Sequence, residues 1–120
     1  MTQATDRLPT LLHDLAALEA EVAASAEGPR FIFKHSLTCP ISAMALGEYH
    51  RFAAELATPA AHLSLIEIQN SRPLSGQLAE ITGIRHESPQ AILLFGGKAV
   101  WHASHGAITA PALHRALAAL

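Results

Sequence analysis

The sequence predicts an α/β fold, with a mixed central sheet, helices on both of its faces and a C-terminal β-hairpin followed by a helix. Segments with a helical spacing of apolar residues alternate with short apolar runs along most of the chain. Because strands joined through a helix make right-handed crossovers, this alternation implies a parallel pair. Gly96-Gly97 separates two late apolar runs, which predicts a tight hairpin and an antiparallel pair. We expect residues 1–120 to form a single domain, with residues 1–7 as a polar lead.

Composition and charge exclude several classes of protein. Half of the 120 residues are hydrophobic and the formal net charge is -2, so the chain is not disordered and offers no basic surface to nucleic acid or anionic lipid. The apolar runs are shorter than the roughly 20 residues of a membrane span. The start of the chain lacks the pattern of a signal peptide. The single cysteine cannot form an internal disulfide. We therefore expect a cytoplasmic monomer, in a compartment where thiols stay reduced.

The first half of the chain contains three predicted elements: a helix from Leu8 to about Ser25, a strand at 31–33 and a helix from Pro40 to about Ala57. The first helix follows from apolar residues that recur every three or four positions, with Pro9 in the first turn. Gly28-Pro29 breaks this helix, and Thr58-Pro59 stops the second one. A first edge strand is either absent or lies within residues 1–9.

The second half contains five predicted elements: strands at 63–68, 91–95 and 98–102, and helices that follow Asn70-Ser71 and begin at Ile108. Leu74, Leu78 and Ile81 share one face of the earlier helix, and we predict that Leu74 and Leu78 pack in the core. Gly83 is placed like a glycine at a helix C-terminus, where positive φ is required. Leu113, Leu117 and Leu120 share one face of the last helix.

Cys39 lies where the first predicted strand gives way to the second helix. Helix N-termini carry unpaired N–H groups and about half a positive charge, so they favour an anion. A thiol placed there loses its proton more easily, and the thiolate is the reactive form. His35, Ser36 and Thr38 are polar, whereas an inert cysteine is usually buried. Pro40 suits the first helical position. We therefore predict that Cys39 is a reactive thiol.

Ser42 occupies the position at which a Cys-x-x-Cys oxidoreductase carries its second cysteine. Without that second thiol, Cys39 cannot close a disulfide within the motif. A thiol that attacks a mixed disulfide then keeps the thiol it has captured until another thiol releases it. Ser42 is also placed to donate a hydrogen bond to the Cys39 sulfur. The sequence therefore predicts a one-cysteine carrier rather than a general disulfide reductase.

Several blocks resemble known families. The stretch GIRHESPQAILLFGGKAV at 83–100 is similar to the thioredoxin sequence of a glycine, a cis-proline, an apolar strand, a glycine and a return strand. The blocks KHSLTCPISAMA at 34–45 and RHESPQAILLFGGKAVWHASHGAIT at 85–109 resemble the monothiol bacilliredoxins. That family has a thioredoxin fold and is linked to bacillithiol, a low-molecular-weight thiol. The departure is Gly106, which stands where family members often carry a large aromatic residue.

The resemblance implies a thioredoxin-like fold, an activity and a set of site residues. The protein would be a thiol-disulfide oxidoreductase that removes bacillithiol from protein mixed disulfides, with Cys39 as the catalytic thiol. Bacillithiol would be a thiol co-substrate, and no cofactor would be bound. The partners would be bacillithiolated proteins and low-molecular-weight thiols. The supporting and substrate-binding residues would be His35, Thr38, Pro40, Ser42, Arg85, His86, Ser88 and Pro89.

Pro89 would be the cis-proline that faces the thiol. Its expected role is to leave the backbone N–H and C=O of Ser88 open, so that a substrate pairs with them like an added strand. His35 or His86 would support the thiolate or an anionic ligand.

Basic side chains would hold the carboxylates of bacillithiol, since charge-assisted hydrogen bonds to carboxylates are strong. The candidates are Arg85, Lys34 and Arg72. Each of these, taken alone, is also typical of a solvated surface charge.

Two alternatives to an oxidoreductase remain open at this point. The first is a glutaredoxin-like module that holds an iron–sulfur cluster between two protomers, although Pro40 stiffens the corner and disfavours it. The second is a sensor whose Cys39 oxidises without turnover. A zinc site built from Cys39, His35 and either His102 or His105 lacks a compact ligand spacing, so we predict no metal.

Overall fold

The structure is a computed structural model that describes residues 8–56 and 60–120. In this part of the chain a five-stranded sheet has the order β1-β3-β2-β4-β5. The strands are β1 (Thr10–Leu11), β2 (Arg30–His35), β3 (His62–Glu67), β4 (Gln90–Phe95) and β5 (Lys98–Ser104). The helices are α1 (Leu15–Ala24), α2 (Pro40–Glu55), α3 (Arg72–Thr82) and α4 (Ala110–Ala118), with a short 3-10 helix at His105–Ala107. Within the described residues, no helix is both long and apolar enough to cross a membrane.

The sheet is mixed, as predicted. β3 pairs in parallel with both β1 and β2, whereas β4 runs antiparallel to β2 and to β5. The hairpin between β4 and β5 turns at Gly96 and Gly97, whose φ values of 69° and 83° favour glycine. The central strand β2 therefore has a parallel neighbour on one side and an antiparallel neighbour on the other, and its C-terminal end lies beside the start of β4.

Helices cover both faces of the sheet. Because side chains alternate along a strand, Phe31 and Phe33 face α2 and α4, where they pack in a cluster that includes Tyr49 and Leu113. Ile32 faces the opposite way. It belongs to a second cluster, formed by residues of α1, α3, the strands and the segment between β1 and α1: Leu12, Leu18, Ile66, Leu74, Leu78, Ile92 and Leu94. The prediction that Leu74 and Leu78 pack in the core is confirmed.

The predicted start of the first helix is wrong. The helix begins at Leu15 rather than Leu8, because the Asp14 carboxylate caps it by accepting a hydrogen bond from the Ala17 N–H. Thr10 and Leu11 form β1, and the N–H of Leu12, just beyond the strand, donates to the Leu65 carbonyl. The helical spacing of apolar residues extends N-terminal to the Asp14 cap, so the sequence pattern predicts a helix that is too long. An edge strand, which the sequence predicts to be either absent or within residues 1–9, occurs at Thr10–Leu11.

Two other helix ends differ from the sequence predictions by a few residues. α4 begins at Ala110, because the Thr109 hydroxyl caps it and accepts from the Ala112 N–H. α2 ends at Glu55 rather than about Ala57, and the predicted stop at Thr58-Pro59 lies outside the described residues, as does the polar lead at 1–7. Ile81 and Leu120 share their predicted helix faces with the buried Leu78 and Leu113, and they are 42% and 48% exposed. Gly83 has a φ of 74° at the end of α3, as predicted.

Removing either of two buried hydroxyl groups should change the free energy of unfolding by different amounts. The Tyr49 hydroxyl lies 2.9 Å from the Ser64 carbonyl oxygen, to which it donates, and 3.2 Å from that of Phe31. Tyr49→Phe removes this buried hydrogen bond and should lower the free energy of unfolding by about 1–2 kcal/mol. The Ser64 hydroxyl is buried without a partner among the described residues. Ser64→Ala should therefore cost less than about 0.5 kcal/mol or stabilise the protein. Urea denaturation under reducing conditions measures both, and equal losses would contradict the assignment.

Candidate active site

The site is built at the corner between β2 and α2, where the sequence placed it. β2 ends at His35, and α2 begins at Pro40, so Cys39 is the N-cap residue of the helix. Its backbone is extended (φ -102°, ψ 121°), and its carbonyl accepts from the Ala43 N–H as the helix begins. The thiol is partly exposed. The Cys39 side chain makes no capping hydrogen bond to the first turn of the helix. The Cys39 thiol is therefore accessible and lies at the N-terminal end of the helix.

The Ser42 hydroxyl ties the corner together. Its Oγ lies 2.7 Å from His35 Nδ1 and accepts a hydrogen bond of 2.9 Å from the Ser36 N–H. Ser42 is completely buried, and His35 is nearly so. Burial lowers the pKa of His35, Glu67 opposes this effect and His50 adds to it, so the imidazole is neutral at neutral pH. Among the described residues, the hydrogen bonds of the Ser42 side chain go to His35 and Ser36, and none goes to the predicted acceptor, the Cys39 sulfur.

Gln69 is a site residue that sequence reasoning missed. Its amide oxygen accepts from the Leu37 N–H at 2.9 Å, and its amide nitrogen donates to the hydroxyls of Ser36 at 3.0 Å and Thr38 at 3.4 Å. One side chain thus holds three consecutive residues of the corner. The signal was present in the predicted topology. Parallel strands end at the same edge of a sheet, so residues just beyond β3 meet those just beyond β2.

The Ser88–Pro89 peptide bond is cis, as the resemblance implied. Pro89 directly precedes β4, and Gln90 is paired with Lys34 near the end of β2, so the proline lies at the same edge of the sheet as the Cys39 corner. The Pro89 carbonyl accepts from the His105 N–H at 3.0 Å. The Ser88 Oγ is buried without a hydrogen-bond partner among residues 8–56 and 60–120. The hydrogen bonds of the described chain also include none to the Ser88 backbone.

Lys34 lies in the interior, which corrects its assignment as a surface residue that holds an anion. It is completely buried, and its Nζ lies 3.1 Å from His86 Nδ1. Burial lowers the pKa of Lys34 to about 8, and the charge of Glu87 partly opposes this. Burial also lowers the pKa of His86, with the Lys34 charge as the second cause. His86 therefore pairs with a buried amine through Nδ1. Arg85 and Arg72 are exposed, as a ligand-binding role requires.

The remaining loop histidines gather near an acidic side chain. A hydrogen bond from Ser104 lowers the pKa of Glu87, and the charges of His105, Arg85 and His102 contribute to the same shift. This group lies on the loop before Pro89 and at the end of β5. The structure thus brings His102 and His105 towards Glu87. Among the described residues, no cluster of three or more His, Cys, Asp or Glu side chains is arranged to hold a metal ion.

Comparisons with known proteins agree with this arrangement. A solved structure described as a candidate oxidoreductase with a thioredoxin fold has a TM-score of 0.82 and 30% identity, over 96% of this chain and 98% of that one. A mutant thioredoxin from Halobacterium salinarum NRC-1 has a TM-score of 0.72 at 15% identity, over 94% of this chain and 90% of its own. Thioredoxin from Trypanosoma brucei brucei has a TM-score of 0.73 at 12% identity, over 99% and 95%. These two thioredoxins show the fold alone.

The fold and the site together define a thioredoxin-fold protein with a thiol redox role, built around one cysteine. The sequence pattern of the family described as Monothiol bacilliredoxin BrxC matches residues 10–113. The chain belongs to this monothiol bacilliredoxin family, as the two blocks at 34–45 and 85–109 suggested.

The buried amine of Lys34 predicts a dependence of stability on pH. Its pKa is about 8 in the folded protein and 10.5 as a free side chain. Between these values the unfolded chain binds a proton that the folded chain does not, so the free energy of unfolding rises with pH. The stability conferred by the neutral amine is complete above about pH 10.5 and is lost as the pH falls through about 8. Lys34→Met keeps the length of the side chain and removes this titration.

Urea denaturation from about pH 7.5 to 9.5 tests this expectation. The free energy of unfolding of the wild type should rise by about 1–2 kcal/mol relative to Lys34→Met over that range. Tyr49, whose pKa is raised by burial, is present in both proteins, so its titration cancels in the difference. Parallel curves for the two proteins would show that Lys34 keeps an ordinary pKa.

Proposed function

We propose that this protein is a monothiol thiol-disulfide oxidoreductase that removes bacillithiol from protein mixed disulfides through Cys39. One observation carries the proposal. A partly exposed Cys39 occupies the N-cap position of α2, and the position of a resolving cysteine is filled by Ser42, whose hydroxyl is engaged by His35 and Ser36. The thiol is therefore placed to react, while its helix offers no second thiol to complete a disulfide. Membership of the monothiol bacilliredoxin family supports bacillithiol as the thiol removed.

The reaction proceeds in two exchanges. The Cys39 thiolate attacks the bacillithiol sulfur of a protein–bacillithiol disulfide, so that a Cys39–bacillithiol disulfide forms and the protein sulfur leaves as a thiolate, which takes a proton from water. A low-molecular-weight thiol, as its thiolate, then attacks the bacillithiol sulfur. This second exchange releases the Cys39 thiolate and yields a disulfide of the two small thiols. Each step exchanges one disulfide for another, so only thiols and disulfides are needed.

The surrounding residues position the reactants. Pro40 occupies the first position of α2, where its missing N–H costs no hydrogen bond. The Ser88 backbone offers a donor and an acceptor to an extended substrate, which would add to the sheet edge like a strand. Arg85 is exposed on the same loop, where a guanidinium suits the carboxylates of bacillithiol.

His35 and Thr38 hold the corner between β2 and α2 in place. His35 binds Ser42 and thereby fixes the first turn of α2. Thr38 accepts from Gln69 and so fixes the residue that precedes the thiol. His86 pairs with the buried Lys34, which orients the loop leading to Ser88 and Pro89. This assignment replaces the expectation that Lys34 itself would hold bacillithiol.

Turnover measured with a bacillithiolated protein tests the proposal. In the presence of a low-molecular-weight thiol, the wild type should release the substrate's free thiol over many cycles, and Cys39→Ser should lose at least ~100-fold of that rate, because it lacks the nucleophile. Ser42→Cys supplies the absent resolving thiol at the matched position. It should release bacillithiol once without added thiol and end as an internal disulfide, detected as a loss of two hydrogens by mass.

The outcome that would contradict the proposal is equally specific. If Cys39→Ser restores substrate thiols as fast as the wild type, Cys39 is not the nucleophile. If Ser42→Cys behaves like the wild type and never forms the internal disulfide, then position 42 is not within reach of the Cys39 sulfur.

A further inference from the structure

Three polar side chains lie in a row across three adjacent strands of the sheet. Lys34 of β2 is paired with Gln90 of β4, and Gln90 is paired with Ser104 of β5. Residues directly opposite each other in antiparallel strands share one face of the sheet, with Cβ atoms about 4.5–5.5 Å apart. Ile32 packs in the α1 and α3 layer, and Lys34, two residues further along β2, faces the same way. We call Lys34, Gln90 and Ser104 the anchoring row.

Two members of the anchoring row hold consecutive residues of the loop that precedes β4. The Gln90 Nε2 donates to the Arg85 carbonyl at 3.1 Å, and the Lys34 Nζ lies 3.1 Å from His86 Nδ1. Both anchoring side chains are buried, with Lys34 at 0% and Gln90 at 1% exposure. The loop is thus tied to the interior of the protein by two side chains from neighbouring strands.

Ser104 holds the next residue of the same loop, Glu87. A hydrogen bond from Ser104 is the largest cause of the lowered pKa of Glu87, and the charge of Arg85 also contributes to it. A guanidinium has five N–H donors, so attraction to Glu87 leaves donors of Arg85 available for a ligand. The row therefore fixes residues 85–87, which lead into the cis-proline at the sheet edge that carries the thiol corner.

The polar side chains of the row have a cost in stability. Burial of an amide or an amine with incomplete hydrogen bonding destabilises a protein. The Gln90 Oε1 is buried without a hydrogen-bond partner among the described residues. Burial also lowers the pKa of Lys34 to about 8. Apolar side chains of similar length would fill the same space without this cost, so the contribution of the row lies in its contacts with the loop.

The contact with Lys34 determines which nitrogen of His86 carries the ring proton. At neutral pH, below its pKa of about 8, Lys34 is an ammonium, which has donors and no acceptor. His86 Nδ1 therefore accepts. Because burial lowers the pKa of His86, the ring is neutral and its single proton is on Nε2. His86 and Arg85 are both exposed, so two adjacent residues offer N–H groups to solvent.

We propose that the anchoring row positions Arg85 and His86 to bind a carboxylate of the small thiol captured at Cys39. This inference rests on the proposed function and adds to it the residues that select an acidic thiol over a neutral one. Arg85 and His86 donate hydrogen bonds to the carboxylate, and such charge-assisted bonds are stronger than those between neutral groups. The anchoring row does not touch the ligand and acts by holding the loop in the geometry that binding requires.

The test compares an acidic with a neutral small thiol in the capture step. Cys39, the single cysteine of the chain, is first converted to its mixed disulfide with 2-thiopyridine. The thiolate of mercaptosuccinate or of thioglycerol then attacks the Cys39 sulfur and forms a disulfide with it. The 2-thiopyridine leaves and takes a proton to give pyridine-2-thione, whose absorbance reports the rate. The rate ratio of the two thiols, divided by the same ratio for a small-molecule pyridyl disulfide, is the acid preference.

The wild type should show an acid preference of about five- to tenfold, as expected for charge-assisted hydrogen bonds at an exposed site. Salt at about 0.5 M should reduce this preference, because the interacting charges are exposed and are screened.

Variants of the row assign the preference to positioning. Lys34→Met and Ser104→Ala each remove one anchor and should reduce the acid preference to about twofold or less, since small displacements of a binding group are costly. Ser104→Ala leaves every charge in place, so its effect separates positioning from the charge of Lys34. Ser104→Thr keeps the hydroxyl and should keep the wild-type preference. Loosening of the thiol corner would change both rates alike and leave the ratio unchanged.

Ser64→Ala is the matched control. It removes a buried hydroxyl from the same face of the sheet, on β3, where the hydroxyl has no partner among the described residues and does not contact the loop. Its acid preference should equal that of the wild type.

Three outcomes would overturn the inference. A wild-type acid preference near one would show that the loop does not bind a carboxylate. A preference that persists in both Lys34→Met and Ser104→Ala would show that the row does not position the loop. An equal loss in Ser64→Ala would trace the effect to general destabilisation. If Lys34→Met does not fold, the comparison of Ser104→Ala with Ser104→Thr decides the question.

The assay needs a reactive Cys39 and does not depend on the removal of bacillithiol from a protein. An acid preference in a protein that never removes bacillithiol would contradict the proposed function and leave the positioning role intact. Turnover of a bacillithiolated protein by a wild type that has no acid preference would contradict this inference alone.

Discussion

The buried hydroxyl of Ser42 joins the end of β2 to the first turn of α2, and the geometry of the site depends on this junction. His35 and Ser36 reach it from the strand end, while Ser42 itself belongs to the helix. The residues between strand and helix are held on their other side by Gln69. Cys39 is thus fixed by its neighbours, and its own side chain remains available. A second cysteine at position 42 would replace the hydroxyl that makes this junction with a redox-active thiol.

Because side chains alternate along β2, two polar residues that are adjacent in sequence lie on opposite faces of the sheet. His35 faces α2 and stacks on Phe33 on the same face of the sheet, where it supports the thiol corner. Lys34 faces the α1 and α3 layer and pairs with His86, which precedes the cis-proline. One strand therefore organises both loops of the site, each from a different side of the sheet. A buried amine has a cost in stability, and it is compatible with the fold because burial shifts the equilibrium towards the neutral form.

Features set by local backbone chemistry could be predicted from the sequence. Cys39 was placed at a helix start because a proline follows it, and the hairpin was placed by paired glycines. Features that depend on tertiary packing could not. The burial of Lys34 follows from the layer that covers its face of β2, and lysine alone gives no signal of it. The role of Gln69 depends on which strands are neighbours. The first helix was extended too far because apolar spacing outweighed the N-cap signal of Asp14.

We propose that Cys39 captures the small thiol and not the protein. Intact-mass spectrometry of a single turnover distinguishes these two products. Reduced protein is mixed with a bacillithiolated substrate in the absence of any other thiol, then acid-quenched. We expect bacillithiol bound to Cys39 and a substrate with a free thiol. A covalent complex between Cys39 and the substrate protein, with free bacillithiol in solution, would contradict it.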